Sequence, residues 1–221
     1  SNNVAIGFNA LTANTSGAHN TGIGQAALGA TNTGGYNVAV GSTALDANTT
    51  ASYNVAVGYG SLTANSTGAS NTALGNNALS ANTTASKNVA VGFTALDAST
   101  TGDYNVAIGP YALTAATTAS YNIAVGYALV ANTTGAENVA IGNEALNSNT
   151  TASYNTAVGR SALQANTTGA SNTAVGKGAL DANTTGNYNV GLGQNALGSN
   201  TTAANNTAVG TAAMEANTGA N

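Results

Sequence analysis

The residues best suited to acid–base chemistry are four acidic side chains at equivalent places in a repeated sequence: Asp46, Asp97, Asp181 and Glu215. Asp181 and Glu215 lie two repeats apart, which in stacked coils corresponds to about 10 Å. This exceeds slightly the ~6.5–9.5 Å that separates the carboxyl groups of inverting glycosidases. We interpret the four as solvating charges on an exposed flank, and we predict no catalytic residue.

Other catalytic groups are scarce. The chain has no cysteine, which excludes thiolate chemistry and a disulfide framework. Its single histidine, His19, falls at a repeat position that elsewhere holds Ser70, Lys87, Glu137 or Asn205. A position that accepts such side chains faces solvent. The sequence therefore predicts a protein that is not an enzyme and that needs no metal or other cofactor.

Asparagine followed two residues later by serine or threonine recurs along the chain, and this is the acceptor pattern for N-glycosylation. Nine of these asparagines share one repeat position, which we expect to be an exposed turn from which a glycan would project. The alternative is that Asn and Thr are simply good turn formers, repeated with the turn. The ten candidate glycan acceptors are Asn14, Asn48, Asn65, Asn82, Asn132, Asn149, Asn166, Asn183, Asn200 and Asn205.

Six tyrosines share the repeat position of His19, and we expect them to form a broken stripe of partly exposed rings. Exposed tyrosine rings stack on sugars or on protein side chains, so the stripe is a candidate adhesive surface. The alternative is that the rings shield the backbone of the next strand. Rows of threonine also make ice binding a candidate function, although adjacent threonines in a strand point to opposite faces of the sheet. The six tyrosines are Tyr36, Tyr53, Tyr104, Tyr121, Tyr154 and Tyr188.

Charged residues make up only 5% of the 221 residues, with 3 Lys+Arg against 7 Asp+Glu and a net charge of −4. The chain thus lacks the basic surface that nucleic-acid binding requires, and we predict no nucleic-acid partner. No apolar run approaches the ~20 residues that span a bilayer. We therefore expect no membrane insertion in this segment.

A repeat of seventeen residues accounts for this composition. Eleven of its twelve steps are 17 residues long and one, from Asn122 to Asn138, is 16. Residues 1–221 therefore read as a single uninterrupted array without a linker. The thirteen copies begin at Asn3, Asn20, Asn37, Asn54, Asn71, Asn88, Asn105, Asn122, Asn138, Asn155, Asn172, Asn189 and Asn206.

We number each copy from its first asparagine, so that positions 1–5 of the first copy are Asn3 to Gly7. Position 4 is always Ile, Val or Leu, position 9 is Leu or Met, and position 2 is Val, Ile or Thr. This pattern predicts a short strand at positions 2–4 whose alternate side chains, at positions 2 and 4, join position 9 in the core. A second strand is expected at positions 8–11, with positions 9 and 11 facing inward. The expected fold is all-β, a parallel β-solenoid, or β-roll, of thirteen coils.

Two polar or small positions are the same in all thirteen copies. Glycine at position 5 indicates a turn with positive φ or a close backbone contact. Asparagine at position 1 indicates a ladder of side-chain hydrogen bonds along the solenoid axis.

Small residues occupy positions 3 and 8, with Ala or Gly at the first and Ala or Ser at the second. If positions 2 and 4 point inward, these small side chains point outward. We interpret them as a surface where neighbouring chains pack closely, which predicts self-association into a homotrimer or filament. The alternative is that small residues merely suit a flat sheet.

The strand Asn3-Val4-Ala5-Ile6-Gly7 and the following G-x-x-A-L-x-A pattern resemble the YadA-like head repeats of trimeric autotransporter adhesins. The resemblance covers all thirteen copies, and similar repeats occur in phage fibres. It implies a left-handed β-roll, a trimer, and binding to a host surface, matrix protein or glycan. The seventeen-residue period and the longer Asn-Thr-Thr-Gly turn depart from that family.

From these observations we expect a structural or adhesive fibre segment located outside the cell, on a cell or virion surface. A glycan- or ice-binding module is the alternative. Neither end of the sequence departs from the repeat pattern. We therefore expect either a piece of a longer array or short chains that stack end to end.

Overall fold

The computed structural model describes residues 2–217, and there the chain is an all-β parallel solenoid without a helix. Thirteen strands form one sheet in chain order. They are β1 Val4–Ile6, β2 Thr21–Ile23, β3 Val38–Val40, β4 Val55–Val57, β5 Thr72–Leu74, β6 Val89–Val91, β7 Val106–Ile108, β8 Ile123–Val125, β9 Val139–Ile141, β10 Thr156–Val158, β11 Thr173–Val175, β12 Val190–Leu192 and β13 Thr207–Val209. The predicted fold class is confirmed.

The chain divides into two compact units, Ser1–Thr118 and Ala119–Asn221. The first contains β1 to β7 and the second β8 to β13. Within each unit, successive strands pair in parallel and position for position. Val38 pairs with Val55 in the first unit, and Thr156 pairs with Thr173 in the second. Equivalent side chains therefore form rows along the axis.

The prediction that positions 2 and 4 form the core is wrong. Ala39 and Ala56, at position 3, are 0% exposed, whereas Leu74 at position 4 is 47% exposed. Position 8 is likewise inside, as at Ala44. The inside of each coil is narrow, because one leucine together with alanine and asparagine side chains fills it, and no room remains for a second aliphatic row. The larger side chains of the strand therefore face outward.

The predicted second strand at positions 8–11 is also wrong, because this segment is a turn. Positions 7 and 9 have left-handed backbone, with φ of 56° at Thr43 and 54° at Leu45. The amide of Thr43 donates to Gln25 in the preceding coil at 2.8 Å, and that of Leu45 donates to Ser61 in the following coil at 2.9 Å. The amides at positions 7 and 9 thus donate hydrogen bonds to the preceding and the following coil, respectively.

Position 9 lies in the core as predicted, and every leucine there from Leu28 to Leu197 is fully buried. Position 11 is not buried in the core, since its residues are half-buried, as at Ala64, or exposed, as at Ala47. Glycine at position 5 meets both conditions expected of it. Gly41 has φ 141°, and a Cβ at this site would clash with the carbonyl oxygen of Gly58 in the next coil.

The asparagine ladder at position 1 is confirmed. The Nδ2 group of Asn54 donates to the carbonyl of Gly68 within its own coil at 2.9 Å. Its backbone amide donates to Oδ1 of Asn37 in the preceding coil at 3.0 Å. Each buried amide side chain therefore closes its own coil and joins it to the next one.

The copy of sixteen residues, which begins at Asn122, keeps the same contacts with its successor. Leu129 donates to Ala145 at 3.1 Å, and Asn138 donates through its backbone to Oδ1 of Asn122 at 3.0 Å. Its missing residue is the left-handed one at position 7, because Tyr127 is followed directly by Ala128. The deletion therefore lies in the turn.

Candidate functional site

The outward side chains at positions 2 and 4 form what we call the apolar face. Four position-4 residues are each 39–47% exposed: Leu74, Ile108, Ile141 and Val175. In each of their strands the residue at position 3, between positions 2 and 4, is buried. Strand pairing repeats this arrangement at every coil within each unit. Each unit therefore presents a largely aliphatic surface, on the order of 300 Å² for six or seven coils of about 4.8 Å and a width of about 10 Å.

This placement corrects the predicted interface. The alanines at positions 3 and 8, such as Ala56 and Ala78, are 0% exposed within the single chain. They cannot contact a neighbouring chain. Their small size is explained by the narrow inside of the coil.

The side chains at position 17 form a second row, beside the apolar face, which we call the tyrosine row. All six predicted tyrosines are exposed, from 42% at Tyr104 to 65% at Tyr188. Position 17 also has left-handed backbone, as at Tyr53 with φ 63°. The predicted exposure of the stripe is thus confirmed for Tyr36, Tyr53, Tyr104, Tyr121, Tyr154 and Tyr188.

At the start of this row, aromatic rings stack along the axis. The centroids of His19 and Tyr36 are 4.7 Å apart with 13° between planes, and those of Tyr36 and Tyr53 are 5.2 Å apart with 8°. The ring faces therefore point along the axis, and both faces of Tyr36 are covered by neighbours. His19 is exposed, as predicted.

The row also holds a cation. The Nζ atom of Lys87 lies 4.6 Å from the centroid of the Tyr104 ring, one coil away, and donates to the hydroxyl of that tyrosine. A tyrosine at position 17 thus binds a positive charge placed at the neighbouring coil. In the second unit the neighbour of Tyr121 is Glu137, and these two residues line a groove together with Val139.

The acidic residues at position 10 lie on a different surface. Desolvation by partial burial raises the pKa of Asp46, against the opposing effect of a hydrogen bond from the Gly29 backbone. Desolvation also raises the pKa of Asp181, and repulsion from Glu215 adds to it, whereas backbone hydrogen bonds lower it. Among the described residues, no group of three or more His, Cys, Asp or Glu could hold a metal ion.

The expected exposure of the glycan acceptors is wrong for eight of the ten asparagines. Asn48, for example, is 0% exposed, and its Nδ2 group donates to the carbonyl of Ala51 at 3.1 Å. These side chains form a second ladder inside the coil, so their Nδ2 atoms have no room for a glycan in the folded chain. The eight are Asn48, Asn65, Asn82, Asn132, Asn149, Asn166, Asn183 and Asn200. Asn14 is half-buried, and Asn205 in the tyrosine row is exposed.

The first threonine of the same turn bonds to protein atoms. The Oγ1 atom of Thr83 donates to the carbonyl of Thr100 in the next coil at 3.1 Å, and Thr133 bonds in the same way to Thr150 at 3.0 Å. Their hydroxyl hydrogens are therefore committed within the solenoid. The second threonine of the turn is exposed, as at Thr84 and Thr134.

Across residues 2–217, no helix is long and apolar enough to cross a bilayer. Comparisons with known proteins gave no matching family model, no matching characterised protein and no matching solved structure.

Proposed function

We propose that this chain is a non-enzymatic structural or adhesive fibre segment, located outside the cell, in which copies of the chain associate through the apolar face. The observation that carries the proposal is the repetition of exposed Val, Ile and Leu at positions 2 and 4 along the sheet. The largest apolar patch on a protein surface reaches about 300–600 Å² and is often functional, which supports an interaction at this face.

A second copy of the chain fits this face because its side chains repeat at the same axial spacing. Rows of Val and Ile from two copies interdigitate in register, as the inner faces of stacked sheets do. A homotrimer, in which three such faces meet around one axis, is the arrangement that the resemblance to YadA-like heads implies. Burying the face would supply the apolar area that the interior, with one leucine per coil, does not.

The test is the mass in solution of a variant whose apolar face carries charge. We expect the unaltered chain to form an oligomer and the variant V57D/L74D to shift to the single-chain mass of 21.1 kDa, measured by light scattering. The matched control is T49D/T50D, which adds the same charge at exposed turn positions and should leave the oligomer intact. A single-chain mass for the unaltered protein at all concentrations would contradict the proposal.

The alternative of glycan recognition by the tyrosine row is weakened where rings stack on one another, because sugar binding needs an open ring face. It remains a candidate around Tyr154 and Tyr188, which are 60% and 65% exposed. A glycan array would test it. Binding that is lost in a Tyr154→Ala/Tyr188→Ala variant would favour it.

A further inference from the structure

We propose that the groove at Gly29 and Asp46 binds the ammonium group of a lysine side chain from a partner protein. The inference deepens the adhesive part of the proposed function and rests on it, because it names the chemistry of the partner. Both residues occupy position 10, in consecutive coils of the first unit. They line a groove of about 460 Å³ together with Asn9 of the preceding coil.

Gly29 opens the groove because it has no side chain. Its backbone does not have positive φ, so the local conformation does not require glycine. A Cβ at this site would instead clash with Oδ1 of Asp46, which reaches back over Gly29 from the following coil. The carboxylate thus takes part of the space that a position-10 side chain fills in other coils.

Position 10 in other coils supplies a hydrogen-bond donor to the coil before it. The Oγ1 atom of Thr114, for example, donates to the carbonyl of Thr94 at 3.1 Å. The equivalent carbonyl before Gly29 is that of Asn9, which lies 3.7 Å from the place of the missing Cβ and accepts no hydrogen bond within residues 2–217. The gap is therefore bordered by a carboxylate and by a carbonyl oxygen that lacks a donor.

These two acceptors favour a cation that donates hydrogen bonds. Calcium would need six to eight oxygen ligands, which the gap does not supply. An alkylammonium fits better, because its methylene stem can pack on the methyl groups of Ala13, Ala26 and Ala30, which also line the groove.

The carboxylate of Asp46 favours lysine over arginine. It already accepts a hydrogen bond from the backbone of Gly29, so it cannot offer both oxygens freely to a guanidinium. A compact ammonium needs only one of them. Partial burial also raises the pKa of the Asp46 carboxyl, because desolvation disfavours its charged form, and a bound cation would offset this cost. The net charge of −4 favours a basic partner over the whole surface.

The chain contains a similar carboxylate beside a gap that is filled. Ser80 occupies position 10 in the coil before Asp97, and its Oγ atom donates to Oδ1 of Asp97. A serine and a carboxylate are therefore compatible at this place in the fold. G29S should install the same pair beside Asp46 and close the groove, whereas S80G should open a gap beside Asp97.

Glycine recurs at position 10 once more, at Gly198. The following coil there carries Glu215, but its Oε1 atom accepts a hydrogen bond from Nδ2 of Asn195 at 3.3 Å. The carboxylate of Asp181, in the preceding coil, lies 3.5 Å from the place of the missing Cβ, which is an ordinary contact. The arrangement differs from that at Gly29, which a carboxylate overlies, and we expect a single lysine site.

The experiment titrates the full chain with acetyl-lysine amide and follows the backbone amides by NMR. Acetyl-norleucine amide, which keeps the stem without the ammonium, is the control ligand, and acetyl-arginine amide tests the choice of cation. We expect shifts at Gly29 and Asp46. D46N and G29S should each weaken binding about fivefold or more, since each removes a hydrogen bond to a charged group. D97N, which makes the same charge change where Ser80 fills the gap, should leave binding unchanged, and S80G should add shifts at Asp97.

The proposal is overturned if the norleucine or arginine compound binds as tightly as the lysine compound, or if D97N weakens binding as much as D46N. An S80G variant without new shifts would contradict the role of the gap. Circular dichroism on each variant checks that the fold is retained.

Light scattering on the same samples separates this inference from the proposed function. Position 10 lies outside the apolar face, so the two surfaces can be altered separately. Lysine binding by a chain of single-chain mass would contradict self-association and leave the groove standing, whereas an oligomer indifferent to lysine would do the reverse.

Discussion

The backbone amide of Asn71 donates to the side-chain Oδ1 of Asn54, one coil earlier, at 2.9 Å. Both asparagines are fully buried. At the start of each strand, a side-chain oxygen therefore accepts the hydrogen bond that a backbone carbonyl accepts elsewhere in the sheet. The ladder makes each coil dependent on the one before it.

Replacing Asn54 by alanine should lower the free energy of unfolding by about 2–4 kcal/mol, because the amide of Asn71 is left buried without an acceptor and the bond to Gly68 is lost. Urea denaturation followed by circular dichroism measures the change. The control is Asn76→Ala, at an exposed position of the same unit, which should lie within about 0.5 kcal/mol of the unaltered chain. Equal effects would contradict the ladder's role.

Replacing Thr94 by glycine should stabilise the chain by about 1 kcal/mol. Thr94 is β-branched with φ 48°, and its buried hydroxyl has no hydrogen-bond partner. Thr43 at the equivalent position has φ 56°, but its hydroxyl donates to the Ser42 carbonyl at 2.8 Å. We therefore expect Thr43→Gly to gain less in the same thermal denaturation. A loss of stability in Thr94→Gly would show that backbone entropy outweighs the strain.

Two neighbouring residues of β4 test which face is inward. Ala56→Leu adds bulk at a site with 0% exposure and should cost about 1–3 kcal/mol through overpacking. Val55→Thr alters an outward residue to one already found at this position in Thr72, and should change stability by less than about 0.5 kcal/mol. Chemical denaturation compares the two. The reverse order of effects would restore the core that the sequence predicts.

The raised pKa of Asp181 makes stability depend on pH. When the folded-state pKa of a carboxyl exceeds its unfolded value, the folded chain binds more protons in the window between them, so stability falls as pH rises through it. Desolvation raises the pKa of Asp181 above 3.8. Asp181→Asn should therefore stabilise the chain at pH 7 and have little effect at pH 3. Melting temperatures at both values check this, and equal shifts would refute it.

The period, the strand, the ladder and the exposed tyrosines are all readable in the sequence, because each is a position where side-chain type is restricted. The inward face cannot be read in the same way, because the alternation of side chains defines two faces of a strand without showing which one lies inside the coil. A useful signal was present at position 2, where threonine replaces valine in five copies, as at Thr72, while position 3 never carries a polar side chain. The threonines thus show that position 2 faces out of the coil.

The turn at positions 6–9 could not be predicted, because leucine rarely adopts positive φ and so gives no sign of it. Leu45 does so because its side chain fills the coil and its amide reaches Ser61. Likewise, the Asn-Thr-Thr segment has the composition that is typical of an exposed turn, so its asparagine is expected to be exposed as well. Only the path of the chain shows that Asn48 lies inside.

The sixteen-residue copy shows that the register between neighbouring coils is set by their hydrogen-bond partners and not by the number of residues in each coil. Leu129 and Asn138 find the same acceptors with one residue fewer between Tyr127 and Ala128. The stretch between positions 5 and 8 is thus a place where evolution, or a protein engineer, can change the length of the chain without breaking the stack. Peptides inserted there in successive coils of one unit would lie about 4.8 Å apart along the sheet.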